Sequence, residues 1–136
     1  MKKLKCLTFK ALGTELVLEL VDERLKGNFR TTKAMEGLFH NVHGGFLASL
    51  IDETMGNIIL VRFNQPVVTG RLEIKYRKPV HVGVDLSVES WVERTFSKGY
   101  LVRTEVKNEQ QTFVEATGMM VLIKVDERYV LPNLLE

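Results

Sequence analysis

The chain has 136 residues, 45% hydrophobic and 26% charged, with a formal net charge of +2. This composition excludes disorder and low complexity and suits one domain over residues 1–136, able to bury roughly two-thirds of the surface its unfolded chain exposes. The basic residues are spread rather than massed, which argues against a nucleic-acid partner. The single cysteine, Cys6, excludes an internal disulfide and a cysteine-based metal cluster, is expected to be buried, and fits a reducing, cytoplasmic compartment.

The opening MKKLKCLTFKALG has the basic start of a secretory signal, but Lys10 and Glu15 interrupt it before an apolar stretch develops. No run of about 18 consecutive apolar residues exists to span a membrane. TELVLELV, Thr14 to Val21, alternates as a half-buried strand does, DERLKG reads as a turn, and NFRTTKAM reads as a second strand, which predicts a hairpin. HNVHGGFLASLIDETMGNIILVRF, His40 to Phe63, is apolar and long enough for a helix, and it ends at Asn64-Gln65-Pro66, where proline biases its predecessor away from helix.

RLEIKYR then alternates strictly, with Arg71, Glu73, Lys75 and Arg77 on one face and Leu72, Ile74 and Tyr76 on the other. VDLSVESWVER, GYLVRTEVKN and TFVEATGMMVLIKV follow as strands, punctuated by Ser97-Lys98-Gly99 and Asn108-Glu109-Gln110. Gly118 inside the last of these suggests a bulge or a strong bend. Trp91 is expected as a core or interface anchor, His81 has no visible partner, and the tail DERYVLPNLLE carries apolar residues that could pack on the body or a neighbour. Two strands, one long helix and about four strands on short links predict an α+β fold whose antiparallel sheet is covered by that helix.

The helix carries a polar wedge. At 100° per residue, Asp52, Glu53, Gly56 and Asn57 fall within about 140° of arc that also holds Ser49, while most of the remaining circumference is apolar. A solvent stripe explains the charges; a cleft or a second subunit explains the small residues Ala48, Ser49 and Gly56 as well. The approach HNVHGG frees backbone N–H groups at the positive end of the helix dipole, a start that favours an anion or a developing oxyanion. Gly44 and Asp52 are eight residues apart, roughly 12 Å along one helix. They cannot touch one carbonyl together, so joint action requires two copies of the chain in a two-fold dimer with helices roughly antiparallel.

VHGGFLASLIDETMG followed by VVTGRLEIKYRKPVHVG resembles the hot-dog-fold acyl-CoA thioesterases, in particular the phenylacetate-degradation (PaaI-like) branch. The resemblance implies an antiparallel sheet of about five to six strands wrapped around one long central helix, in dimers or tetramers with active sites at the dimer interface. It implies that Gly44 N–H polarises the thioester carbonyl, that Asp52 of the partner subunit is nucleophile or general base, that Thr69 helps hold the attacking water and that His43 orients the site. Glu53, beside Asp52, and Gly45 are expected as supporting residues. The family often has an asparagine six residues before the histidine, where this chain has Gly37, which raises Asn41 as a substitute.

Arg77, Lys78, Arg94 and Lys98 are candidates for the phosphates of coenzyme A, and Phe46, Leu47 and Met55 for the acyl pocket. CoA enters as part of the substrate. No other cofactor is expected, and three histidines without ligand spacing argue against a metal. Two alternatives remain: a non-catalytic acyl-CoA-binding or sensing hot-dog module, and a hot-dog hydratase or dehydratase, whose paired histidine and acid are not found here.

Overall fold

The computed structural model describes residues 3–5, 9–10 and 15–124; Cys6, Thr14 and the DERYVLPNLLE tail lie outside the described residues. The strands are β1 Lys3–Lys5, β2 Val17–Val21, β3 Arg24–Arg30, β4 Val67–Tyr76, β5 Asp85–Phe96, β6 Gly99–Lys107 and β7 Thr112–Leu122. They form one antiparallel sheet in the order β1-β2-β3-β5-β6-β7-β4. Six strands answer to the six read from the sequence, with some bounds shifted, and β1 adds three residues at one edge. The helix, α1, spans Gly44–Phe63 and carries the chain from β3 to the far edge, where β4 pairs with β7.

α1 is apolar on most of its circumference because it is a core element. Leu50, Ile51, Met55, Ile58 and Ile59 are fully buried and share a core with Leu25, Val88, Val102 and Val114 from four strands. By length and composition α1 could cross a membrane, but it packs here against the sheet. It ends at Asn64, a left-handed residue (φ 52°, ψ 44°) whose N–H bonds to the Leu60 carbonyl.

Three local readings of the sequence are corrected. The first hairpin turns in two residues, Asp22 and Glu23, both at positive φ (49° and 66°), so that Val21 pairs directly with Arg24. Two left-handed central residues make a type I′ turn, whose twist suits a hairpin even without glycine. The second strand therefore starts before Asn28, and Lys33–Met35 forms a 3₁₀ turn instead of extending it.

Gly118 makes no bulge; it pairs in register with Val102 and Leu72. Its role is space, since a Cβ there would run into Met55 Sδ of α1. The register shift of β4 falls between Thr69 and Arg71. Trp91 is outside the buried core. It is half-buried on the face turned away from α1, with the Arg24 guanidinium 4.3 Å above its ring.

That outer face also holds Glu89, whose side chain is 9% exposed between Lys107 Nζ at 2.7 Å, Arg24 Nη1 at 3.1 Å and Lys26 Nζ at 3.6 Å. Burial acts most strongly and pushes the Glu89 carboxyl up, but hydrogen bonds from Lys107 and Arg24 and the charges of Lys107 and Lys26 together hold it below its ordinary value. The hydrogen bond to Glu89 raises Lys107 above the ordinary lysine value, against burial and with help from Glu105.

A carboxyl held low stabilises the fold above its unfolded value and loses that contribution as pH falls through the folded one; a lysine held high loses its contribution only as pH rises past its own. Glu89→Gln is therefore expected to lower the unfolding free energy at pH 7 by about 1–2 kcal/mol. It should also flatten the acid limb of stability. Urea titrations at pH 7 and below the ordinary carboxylate range check both.

Candidate active site

The site begins with four N–H groups that a helix start cannot pair internally. His43, in extended conformation (φ −60°, ψ 129°), caps the helix, and its Nδ1 accepts from Gly45 N–H at 2.9 Å. A Cβ on Gly45 would lie 2.9 Å from His43 Cε1, so glycine there lets the imidazole fold back over the helix start. His43 N–H bonds to the Met35 carbonyl at 2.8 Å and Phe46 N–H to the His43 carbonyl at 3.0 Å. Only Gly44 N–H is left: among the described residues nothing accepts from it, and Gly44 is exposed. A free donor at the positive end of a helix dipole can stabilise negative charge.

Tyr76, at the end of β4, donates its hydroxyl to the Gly44 carbonyl at 2.8 Å. Burial pushes its phenol above the ordinary value, which keeps it protonated and donating. Asn41, Gly44, Leu47, Arg77 and Lys78 line a groove of about 280 Å³ beside this helix start. Asn41 Oδ1 is buried there without a partner. Gly37 sits against His43, a Cβ on it 3.2 Å from His43 Cα, and Asn41 brings a carboxamide to the groove. Arg77 pairs with Glu115 at 3.0 Å and Lys78 Nζ bonds to Gln111 at 2.6 Å; both cations remain exposed.

The second half of the site lies mid-helix. Asp52 Oδ1 accepts the Thr69 hydroxyl at 2.5 Å, and Thr69 stands on β4 opposite Met120 of β7. Asp52, Glu53, Gly56 and Asn57 form one wall of a cavity of about 640 Å³, and β4 and the end of β7 form the other. The polar wedge of the helix thus faces a recess.

Two parts of the proposed acyl lining are placed elsewhere. Phe46 packs edge-on against Phe9, ring centroids 5.2 Å apart, and Met55 is fully buried behind Gly118. Helical geometry turns Met55 away from the wedge and into the core, while Phe46, at the wedge's own azimuth, stands in the first turn, about 9 Å before Asp52 along the axis. Leu60, Val67, Val68, Met120 and Ile123 supply the cavity's apolar lining. Arg94 lies over the Phe96 ring at 5.0 Å, Lys98 sits in the β5–β6 turn, and neither lines either recess. His81 is exposed, and its carbonyl accepts the Thr31 hydroxyl at 2.7 Å.

Gly44 and Asp52 share one unbroken helix, roughly 12 Å apart along its axis. The two halves therefore belong to two different recesses of one protomer. The family model for the thioesterase superfamily matches residues 39–115, a span that contains Gly44, Asp52, Thr69 and Tyr76.

This chain belongs to the thioesterase superfamily.

Solved structures agree on the fold. A hypothetical thioesterase from Streptococcus pneumoniae, crystallised with coenzyme A, is 18% identical over 76% of this chain and 84% of its own, with a TM-score of 0.70. A putative thioesterase from Ralstonia eutropha, described as related to phenylacetic acid degradation, is 20% identical over 84% and 87%, with a TM-score of 0.71. A Streptococcus mutans protein bound to acetyl-CoA is 19% identical over 78% and 88%, with a TM-score of 0.70. The shared architecture is the hot-dog fold: one antiparallel sheet against one long helix.

The helix start and the mid-helix acid were legible in sequence as two polar positions on one helix; Tyr76 as the anchor of Gly44 was not, although its place at the end of an alternating strand was. Gly56 offers a direct check on the cavity, because a Cβ there would meet only Met120 Cε, at 3.9 Å. Gly56→Ala is expected to raise stability by up to about 1 kcal/mol, while Gly56→Leu keeps the fold and fills the recess. Thermal unfolding and the uptake of an apolar fluorescent probe by the two variants test this.

Proposed function

We propose that this protein is an acyl-CoA thioesterase of the PaaI-like kind, hydrolysing the thioester to a free acid and CoA at sites shared between subunits of a homodimer, or of homodimers paired into a tetramer. The observation that carries this reading is one rigid helix bearing a free N–H at Gly44 and a hydrogen-bonded carboxylate at Asp52, too far apart to act on one carbonyl within a protomer. A two-fold axis with antiparallel helices sets the start of one beside the middle of the other. The solved relatives that hold coenzyme A or acetyl-CoA support the same substrate class.

In this mechanism the thioester carbonyl oxygen accepts from Gly44 N–H and lies at the positive end of α1. Asp52 of the partner subunit acts in one of two ways. As general base it takes a proton from a water held with Thr69, and the resulting hydroxide adds to the carbonyl carbon; as nucleophile its carboxylate adds directly, forming an anhydride that water later opens. In both, the oxyanion collapses and the carbon–sulfur bond breaks; in the first route the protonated Asp52 carboxyl returns its proton to the departing thiolate, and in the second the thiolate leaves as the anion and takes its proton from water.

A thioester is electrophilic enough for one preorganised donor, a dipole and a carboxylate to suffice. His43 holds Gly45 and leaves Gly44 free. Arg77 and Lys78, beside Gly44, meet the phosphates of CoA, which directs the nucleotide toward the groove and the acyl group toward the apolar cavity beside Asp52. Glu53 supports from the cavity wall.

The test is free-thiol release from a panel of short, long, aromatic and hydroxylated acyl-CoAs. Asp52→Asn is expected to slow turnover by about 10²–10⁴-fold with folding and oligomeric state unchanged. Tyr76→Phe, which frees the Gly44 carbonyl without touching the acid, is expected to lower kcat by less. A panel with no thiol released would make this a non-catalytic acyl-CoA-binding module instead, and turnover that Asp52→Asn leaves intact would overturn the role given to Asp52.

A further inference from the structure

The cavity beside Asp52 is apolar along most of its walls, yet two carboxamides stand in it. Asn57 is 5% exposed, lines the cavity, and has its Nδ2 buried without a hydrogen-bond partner. An amide pays for such a position only when something else pairs with it, because a buried polar group without a partner destabilises the fold where a leucine would not. A half-turn about its terminal bond exchanges the carbonyl and NH₂ ends of the amide, so the side chain can serve a ligand as donor or acceptor.

Gln65, on the same cavity, is already oriented. Its Oε1 accepts the Tyr100 hydroxyl, and Tyr100 is buried and stacked on Phe63 with ring centroids 4.8 Å apart. The carbonyl end of Gln65 is thereby committed, which leaves its NH₂ as the end available to a ligand.

Position gives these groups meaning. Asn57 follows Asp52 by five residues, about 7.5 Å along the helix. Gln65 precedes Thr69 on the strand side, so both amides lie on the side of the cavity leading away from the Asp52–Thr69 pair. Between that pair and the amides the wall is made of Gly56, Val67, Val68 and Met120.

We infer that Asn57 and Gln65 form a polar subsite for an oxygen substituent, hydroxyl or carbonyl, carried by the acyl group several bonds beyond the reacting carbonyl. The inference rests on the reading of this cavity as the acyl pocket of a thioesterase. It narrows the substrate class to oxygenated acyl thioesters with an apolar stretch between the thioester and the oxygen. An oxygen adjacent to the carbonyl would fall among the apolar walls and gain nothing from the amides.

The experiment compares three CoA esters of one chain length: hexanoyl, 6-hydroxyhexanoyl and 2-hydroxyhexanoyl. Wild type is expected to favour the 6-hydroxy ester over the plain one by about tenfold or more in kcat/KM, as a site built to hydrogen-bond a substrate group discriminates against its absence. The 2-hydroxy ester should show no such preference. In Asn57→Leu the ratio of the 6-hydroxy to the plain ester should fall to near one, because the hydroxyl loses its partner while the plain chain gains apolar wall. Gln65→Leu should lower the same ratio and serves if the first variant folds poorly.

Equal turnover of the plain and 6-hydroxy esters by wild type would overturn the inference, as would variants that slow all three esters alike and leave the ratio unchanged. If none of the esters releases thiol, it is the thioesterase reading that fails. The subsite is then judged by calorimetric Kd for the same three esters: tighter binding of the 6-hydroxy ester that Asn57→Leu abolishes supports it, and equal Kd values overturn it.

Discussion

An α-helix advances about 1.5 Å per residue and does not bend to order, so the eight steps from Gly44 to Asp52 set a distance that no side-chain motion closes. That spacing organises the rest of the site. It gives the helix two working positions, an electropositive start and a carboxylate in the middle, and places them in separate recesses of one protomer. Chemistry that needs both on one carbonyl has to bring two helices together, and the dimer is proposed on that condition.

The fold holds those two positions from one strand. β4 lies at the edge of the sheet and reaches α1 twice, with the Tyr76 hydroxyl on the Gly44 carbonyl and the Thr69 hydroxyl on Asp52. The core holds the helix from the other side, with Leu50, Ile51, Ile58 and Ile59 buried and Met55 admitted by the missing side chain of Gly118. A catalytic group mounted on a packed helix keeps its position better than one on a loop. On the opposite face of the sheet, Glu89 and its three cations tie β3, β5 and β6 together, away from both recesses.

Much of this was legible in the residues. Alternation located the strands after the helix because half-buried strands repeat every two residues. The helical wheel gathered Asp52, Glu53, Gly56 and Asn57 into one wedge, and that wedge faces a cavity. The wheel could not say which part of the apolar remainder meets the core and which meets a ligand. Phe46 and Met55 looked suitable for an acyl group by side chain alone, yet they pack inside, while β4 and the end of β7 line the recess.

Long-range partners were equally invisible. Nothing local in Tyr76 announces a hydrogen bond to Gly44, 32 residues earlier, or marks Gly118 as the seat of Met55. The first turn was placed over Asp22 to Gly27 but not its tightness, because the left-handed residues Asp22 and Glu23 are not the usual pair with glycine.

The most direct test of the central claim is subunit complementation. Gly44→Pro removes the N–H left free at the start of α1, a helix position where proline is well tolerated, and its extended predecessor His43 suits a following proline. Each of Gly44→Pro and Asp52→Asn alone is expected to lower thiol release by about 10²-fold or more. Co-expressed, they form mixed dimers in which one of the two sites has both an intact Gly44 and an intact Asp52, so random pairing should restore about a quarter of wild-type activity. Mixed dimers that stay inactive, while both variants fold and associate normally, would contradict a site shared between subunits.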